Sequence, residues 1–426
     1  MISNKVVAVD FGSTFISVMA AEVLESGAVK IFSEESKPSE EVKWGIVEKP
    51  TGASFKISEL LKLLKNSSKI SDISPVSVAI GAKSMKIIQK TVNRSLGKVY
   101  EITNDLLADM LEECERSVAN QNITVFETIP VSYTVDGKLM DDPVGLNARQ
   151  ITATYNVVVG NSIIKAELER CFDRTGVVME YNPLAIQALS TVVLEEQDRE
   201  VGCALINLGA TTTTMGVYHD GILRNYIVVP LGADNITKDI QELGISEANA
   251  EKLKCLKGFA MDSLVVDPVY IQVAAVEAEA KPVNISTKFL ATIIEARLEE
   301  ILKPVFDIIS NLSFKLEAGI VLTGGGAKLN KIIEFITEKI GIYSRLGDHS
   351  DWLSDDTDKK YFDPKYSLLV GTILLTHDYR IEHPEVKILD DPDKQPKLPG
   401  NGSRLIKKLT QTYTNYFGSQ SEIKFE

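Results

Sequence analysis

Apolar residues fall along this chain in short β-branched runs separated by small polar turns. INLGATTTTMGV, Ile206–Val217, is one such unit, with apolar flanks around one glycine and four consecutive threonines, the pattern of two strands pairing through a tight turn. VAVDFGSTFISV, Val7–Val18, repeats its grammar, and sets Asp10 opposite Asn207 and Gly12 opposite Gly209. A third unit, GIVLTGGGAKLNKIIEFI, Gly319–Ile336, runs from a short strand through three glycines into a helix-periodic segment with Leu329, Ile332, Ile333 and Ile336 on one face. SVAIGAKSMKII, Ser77–Ile88, is apolar and strand-like, and SEANAEKLKCLKGFAM, Ser246–Met261, reads as helix.

Two matched turns roughly 200 residues apart point to a duplicated domain, because solenoid repeats recur every 20 to 50 residues. A length of 426 residues allows two to four domains, and 44% hydrophobic content describes a globular chain able to bury large cores. The net charge of −13 argues against a nucleic-acid partner, since phosphate backbones are held by clustered Lys and Arg. Cys114, Cys171, Cys203 and Cys255 show no CxxC spacing, so neither a disulfide framework nor a zinc site is expected and a reducing cytoplasm fits. Asp10 interrupts the N-terminal apolar run, and no run approaches the roughly 20 residues needed to span a bilayer. The expectation is a protein neither secreted nor transmembrane. His219, His349, His377 and His383 are dispersed and read as surface or packing residues.

Glycine at such a turn permits positive φ and close approach of a ligand to the main chain. Backbone N–H groups together with the Ser13, Thr14, Thr211 and Thr212 hydroxyls make a nest of donors suited to phosphate oxygens. In the third unit, a helix N-terminus after Gly324, Gly325 and Gly326 would aim free N–H groups at phosphate or ribose. It is neither a Walker A loop nor a GxGxxG fingerprint. Each unit alone is a common turn; three in this order are not.

The set resembles the actin, Hsp70 and sugar-kinase ATPase superfamily, with phosphate-1 at Asp10 to Thr14, phosphate-2 at Asn207 to Thr212 and an adenosine motif at Thr323 to Lys328, which includes Ala327. Further stretches are similar to the FtsA family of bacterial cell-division proteins: ETIPVSYTVDGKLMDDPVGLNARQITATYNVVVG, NPLAIQALSTVVLEEQDREVGCALINLG, VVPLGADNITKDI, IIEARLEEIL and DPKYSLLVGTILL. That resemblance implies an α/β actin-like ATPase fold of two RNase H-like lobes, with an inserted 1C subdomain in lobe one and a C-terminal amphipathic helix. Subdomain 1A is expected over 1–80, 163–200 and 346–380, 1C over 81–162, 2A over 201–232 and 302–345, and 2B over 233–301. It further implies ATP and Mg²⁺ between the lobes, with Asp10 and Asn207 meeting the metal through water, Gly232 near the phosphates, and Glu251 and Lys254 near the ribose or base. No catalytic residue is assigned.

Departures from the family pattern shape the expected activity. Asn207 stands where the family has Asp, so it keeps the shape and loses the charge that favours Mg²⁺. Phe15 and Ile16 occupy the region where many relatives carry a cation, and Ala233 replaces the second glycine of a Gly-Gly pair after Gly232. The expectation is ATP binding with weak or absent hydrolysis.

After Tyr379 the texture changes. Residues 381–402 carry four prolines and many charges and read as a flexible linker. In SRLIKKLTQTYTNYFG, 403–418, a helix turning ~100° per residue gathers Leu405, Ile406, Leu409, Tyr413, Tyr416 and Phe417 into an arc of ~120°. Arg404, Lys407 and Lys408 lie on the rest of that circumference. Aromatics on one side and cations on the other describe a helix lying on anionic membrane lipid, and FtsA proteins are similar in ending with one. The leading reading is therefore an actin-like adaptor that polymerises with itself on the cytoplasmic face of the inner membrane at the division site. It would bind the C-terminal peptide of the tubulin-like protein FtsZ through subdomain 2B and recruit later divisome proteins. Alternatives are a PilM-like scaffold for pilus assembly, which would not require the terminal helix, and a superfamily small-molecule kinase, which would need a carboxylate base near the γ-phosphate.

Overall fold

A computed structural model describes residues 4–68, 70, 73–277 and 281–383. The linker from residue 384 onward and the amphipathic segment 403–418 lie outside the described residues. The chain divides into two compact units, one made of Ser84–Ser162 with Ile222–Arg224, the other of the remaining described residues.

The larger unit contains the same sheet twice. In the first copy the strand order is Met179–Tyr181, Val76–Val78, Lys5–Phe11, Phe15–Val23, Val29–Pro38. In the second it is Ser344–Leu346, Gly319–Thr323, Cys203–Leu208, Thr213–His219, Ile222–Val229, the last strand counted here from Asn225. Each copy is built on an antiparallel hairpin, Lys5–Phe11 with Phe15–Val23 and Cys203–Leu208 with Thr213–His219. Each hairpin's first strand is flanked on its other edge by two parallel strands. Cys203–Leu208 is buried throughout except at Asn207, the continuous apolar run required of a strand covered on both faces. Ile206 and Leu208 share a core with Ile236, Ile240, Leu290, Ile294, Phe335 and Ile336, each such side chain contributing about 1.5–3 kcal/mol on burial.

The helix Ser367–Glu382 is fastened at its far end. Arg380 makes a two-pronged pair with Glu180, Nε to Oε1 at 2.6 Å and a second guanidinium nitrogen to Oε2 at 2.7 Å, and also donates to the Lys5 carbonyl. Tyr379 stacks on Tyr181 with ring centroids 4.6 Å apart. This helix carries three residues past Tyr379, so Ile381 and Glu382, read from sequence as the start of the linker, are its last turn.

The smaller unit is an antiparallel sheet in the order Lys86–Glu101, Asn147–Asn161, Ile123–Val135, Lys138–Met140, with the helix Asn104–Val118 against it. Thr103 caps that helix, its hydroxyl accepting from the Leu106 N–H. Tyr155, Leu107, Met110 and Ile151 form its core. The stretch Ser77–Ile88 is not one strand: Val76–Val78 belongs to the larger unit's first sheet, while Lys86 opens the first strand of the smaller one.

Candidate functional site

The two hairpin turns meet. Ser13 Oγ and Thr211 Oγ1 lie 2.6 Å apart, joining residues 198 positions distant in the chain. Gly12 is required there because a Cβ would press on the Phe15 carbonyl, and at Gly209 a Cβ would crowd the Thr212 carbonyl to which the Gly209 N–H donates at 2.9 Å. Thr14 is exposed and Thr212 half-buried. Asp10 and Asn207 occupy matching places, each two residues before the turn glycine, cross-strand from Ser17 and Thr214. Burial pushes the Asp10 carboxyl up to about 6.

The glycine-rich unit packs on the second hairpin. Asn207 is the parallel partner of Thr323. Gly324 follows with φ of +92°, and a Cβ there would overlap Asn207 Oδ1, while one on Gly326 would overlap the Leu208 side chain. Gly325 has nothing within 4 Å of its Cβ position and faces open space. The structure corrects one expectation here. The glycines enter a single 3₁₀ turn, Gly325–Lys328, and the α-helix starts only at Ile332. At the break Lys331 is left-handed at φ 66°, and the Asn330 carbonyl is turned to a distant partner, accepting from the Ala260 N–H at 2.8 Å. Free amides beside the glycines therefore belong to the 3₁₀ turn rather than to an α-helix N-terminus. Ala327 is buried, and Lys328 is held by Asp363, Nζ to Oδ2 at 2.6 Å.

Gly232 joins the helix Ala233–Gln241 to the second hairpin turn. A Cβ on it would overlap the Gly209 and Ala210 carbonyls, which accept from the Ala233 and Asp234 N–H groups at 2.9 Å each. Two of the helix's free N–H groups are thereby used by the turn itself. Ala233 fits this place, its side chain buried. Asn235, unremarked in sequence, accepts the Gly232 N–H at 3.0 Å. Glu251 and Lys254 form a network instead of pointing freely: the buried Lys254 donates to Glu251 at 2.7 Å, to Thr237 Oγ1 at 2.8 Å and to the Ala233 carbonyl at 3.1 Å. Burial pushes the Glu251 carboxyl up, but hydrogen bonds from Lys254 and Thr237 outweigh it and hold the carboxyl below its ordinary value.

Sequence reasoning missed Trp44. Its N–H donates to Thr211 Oγ1 at 3.1 Å, which places it against the Ser13–Thr211 bridge. The Trp-Gly pair between two short apolar runs, VKWGIV, was the only local signal of a turn there. Among the described residues no cluster of His, Cys, Asp and Glu is arranged to hold a metal ion by itself, and no helix is long and apolar enough to cross a membrane.

The family model "Cell division protein FtsA" matches residues 204–371, and the model "SHS2 domain inserted in FTSA" matches residues 82–159. Over 386 residues the chain is 27% identical to the cell division protein FtsA of Borreliella burgdorferi, covering 89% of this chain and 92% of that one. Over 381 residues it is 26% identical to the FtsA of Escherichia coli strain K12, covering 86% and 89%. Among solved structures it is similar to the PilM-PilN type IV pilus biogenesis complex, at TM-score 0.62 and 13% identity, covering 87% of this chain and 98% of that one. It is also similar to MreB5 of Spiroplasma citri bound to AMPPNP, at TM-score 0.56 and 12% identity, covering 89% and 99%. These likenesses show an actin-like fold. Two models of one family together span more than half of the sequence, relatives of that family align over 86% and 89% of it, and the chain belongs to the FtsA family of actin-like cell division proteins.

Proposed function

We propose that this cell-division protein binds ATP with Mg²⁺ where its two hairpin turns and its glycine-rich turn converge, assembles head to tail, and tethers FtsZ to the cytoplasmic face of the inner membrane at the division site. The observation that carries the nucleotide reading is the junction itself: Ser13 meets Thr211, and Gly324 meets Asn207, so three separated turns present backbone and hydroxyl donors at one place. The residues fit the group. Gly325 leaves space where a side chain would stand, and the Asp10 carboxyl sits where burial disfavours its charge, a setting that a divalent cation relieves.

Gly12, Ser13, Thr14, Gly209, Thr211 and Thr212 hold the phosphates. Asp10 and Asn207 orient Mg²⁺ through water. Gly232, Gly324, Gly325, Gly326, Ala327 and Lys328 border the adenosine, with Glu251 and Lys254 near the ribose or base. A bound metal would neutralise phosphate charge, and with one carboxylate instead of two to hold it, hydrolysis would be slow or negligible. MreB5, similar in fold, is solved with AMPPNP, and MamK, at TM-score 0.51, as a double helical filament, which supports reading this chain as a nucleotide-binding protein that self-associates. Open head-to-tail contacts propagate into filaments when the rotation does not close.

Arg404, Lys407 and Lys408 set the terminal helix on anionic lipid, with Leu405, Ile406, Leu409, Tyr413, Tyr416 and Phe417 in the acyl boundary. Calorimetry with ATP, with and without Mg²⁺, tests the nucleotide site, and absence of binding ends that reading. Co-sedimentation with anionic liposomes tests the anchor, which fails if Leu409→Glu or removal of residues 403–426 leaves binding intact. Binding of the FtsZ C-terminal peptide, unchanged by substitutions in 233–301, would remove that partner site.

A further inference from the structure

The short hairpin Val42–Lys43 with Ile46–Val47 turns through Trp44 and Gly45, whose φ angles are 53° and 75°. Glycine accepts such a turn; a bulky tryptophan at positive φ does so only when its surroundings hold it. Three contacts do. The Trp44 N–H donates to Thr211 Oγ1 at 3.1 Å, the Trp44 carbonyl accepts from the Lys83 N–H at 2.9 Å, and a Cβ on Gly45 would overlap the Gly81 carbonyl, so the turn lies close on the chain there. The main chain of the turn is thus fixed beside the hydroxyl bridge between the two hairpin turns, through the backbone N–H of Trp44.

Two cations rest on that ring. Lys83 Nζ lies 3.7 Å from its centroid and Lys43 Nζ 4.4 Å. Among the described residues neither ammonium forms an ion pair, whereas other lysines around the site are neutralised: Lys56 by Glu41, Lys254 by Glu251, Lys328 by Asp363. In a chain of net charge −13, two ammonium groups that rest on one side chain without an ion pair are open to an anionic ligand. Meanwhile the phosphate-1 turn carries Phe15, exposed, and Ile16, buried, and no cation.

We propose that Lys83, with Lys43 beside it, supplies the positive charge for the terminal phosphate of a bound nucleoside triphosphate, and that Trp44 is the platform that stores both cations until that phosphate arrives. The inference rests on the nucleotide reading and goes beyond it by naming the residues that tell triphosphate from diphosphate. Ammonium groups that leave the indole for phosphate also change its emission.

The experiment uses the full chain carrying Trp352→Phe, which leaves Trp44 as the sole tryptophan. ATP, ADP and AMPPNP are titrated with Mg²⁺ by calorimetry and by tryptophan fluorescence. Lys83→Met removes a charge-assisted hydrogen bond to the terminal phosphate, so it lowers ATP and AMPPNP affinity about tenfold or more and ADP affinity far less, and Lys83→Arg largely rescues the loss. Trp44 emission shifts with the triphosphates and not with ADP. If Lys43→Met combined with Lys83→Met keeps the parent's ratio of ATP to ADP affinity, the proposal is overturned while the nucleotide site stands. If the parent protein binds none of the three, both fall together.

Discussion

Ser13 Oγ and Thr211 Oγ1 stand 2.6 Å apart and tie the tip of one hairpin to the tip of its duplicate. Thr211 has a second task, accepting the Trp44 N–H, so one hydroxyl serves three segments of the chain. Ser13→Ala removes one hydrogen bond. Thr211→Val removes the same bond and also leaves a backbone donor without its acceptor, so it costs more. Urea denaturation of the nucleotide-free protein, taken through a double-mutant cycle, should give a Ser13–Thr211 coupling of about 0.5–1.5 kcal/mol. Strict additivity would mean that the bridge contributes nothing to closing the two turns on each other.

Adjacent glycines in the third turn differ in their surroundings, Gly324 packed and Gly325 open. Gly324→Ala places a methyl on Asn207 Oδ1 at a φ of +92°, so the thermal midpoint should fall along with nucleotide affinity. At φ +92° and ψ 172° a residue other than glycine costs roughly 1–3 kcal/mol before any clash is counted. Gly325→Ala meets no protein atom within 4 Å, so stability should hold while nucleotide affinity falls. Differential scanning calorimetry and ATP titration of the two variants decide this, and equal effects in both would refute the assignment of Gly325 to the ligand side.

The duplicated hairpins were legible because their chemistry is local: β-branched flanks, one glycine and hydroxylated residues suffice to define such a turn, and both formed where the pattern placed them. The start of the α-helix after the glycines was not, because the decisive event, the Asn330 carbonyl pairing with the Ala260 N–H, lies 70 residues away in sequence. Lys254 shows the same limit from another side. Its spacing on a helix reads as solvated charge, yet Thr237 and the Ala233 carbonyl draw its ammonium inward and bury it. Trp44 escaped for want of any pattern that says which distant turn a tryptophan will touch. Local chemistry predicts turns, and tertiary partners decide which polar side chains face a ligand.

His349 gives a pH dependence of known sign. It is buried, with Nε2 2.8 Å from the Tyr361 carbonyl and Nδ1 3.0 Å from Ser367 Oγ, an arrangement that one neutral tautomer satisfies as donor to the first and acceptor from the second. Burial holds its pKa below 6.5, against the weaker upward pull of the Tyr361 hydrogen bond and of Asp348 and Asp363. The unfolded chain therefore takes up a proton near pH 6.5 while the folded one does not, and this group's contribution to stability is lost as pH falls below that value. The slope is at most about 1.4 kcal/mol per pH unit. His349→Gln should lower stability at pH 7.5 and remove part of the loss between pH 6.5 and 5. Parallel stability curves for parent and variant would refute the assignment.

Asp10 works in the opposite direction. Its folded-state pKa of about 6 exceeds the ordinary aspartate value of 3.8, so in metal-free protein the folded state binds the proton more tightly and stability declines as pH rises from 4 through 6. At pH 7 the ionised carboxylate costs roughly 1–3 kcal/mol. Asp10→Asn removes that cost, so in the presence of chelator the variant should be more stable than the parent at pH 7 and no more stable at pH 4. With ATP present the order reverses: Mg²⁺ should tighten nucleotide binding to the parent and have little effect on Asp10→Asn. Asn207→Asp is the converse, adding a carboxylate at the matching place in the second hairpin, where Asn207 Oδ1 already lies against Gly324. It should lower metal-free stability at pH 7 and steepen the Mg²⁺ dependence of ATP binding. If Asp10→Asn is less stable than the parent without metal, its charge is already compensated by the fold and no cation is needed there; if Asn207→Asp leaves Mg²⁺ dependence unchanged, the proposed link between the missing acid and metal binding fails.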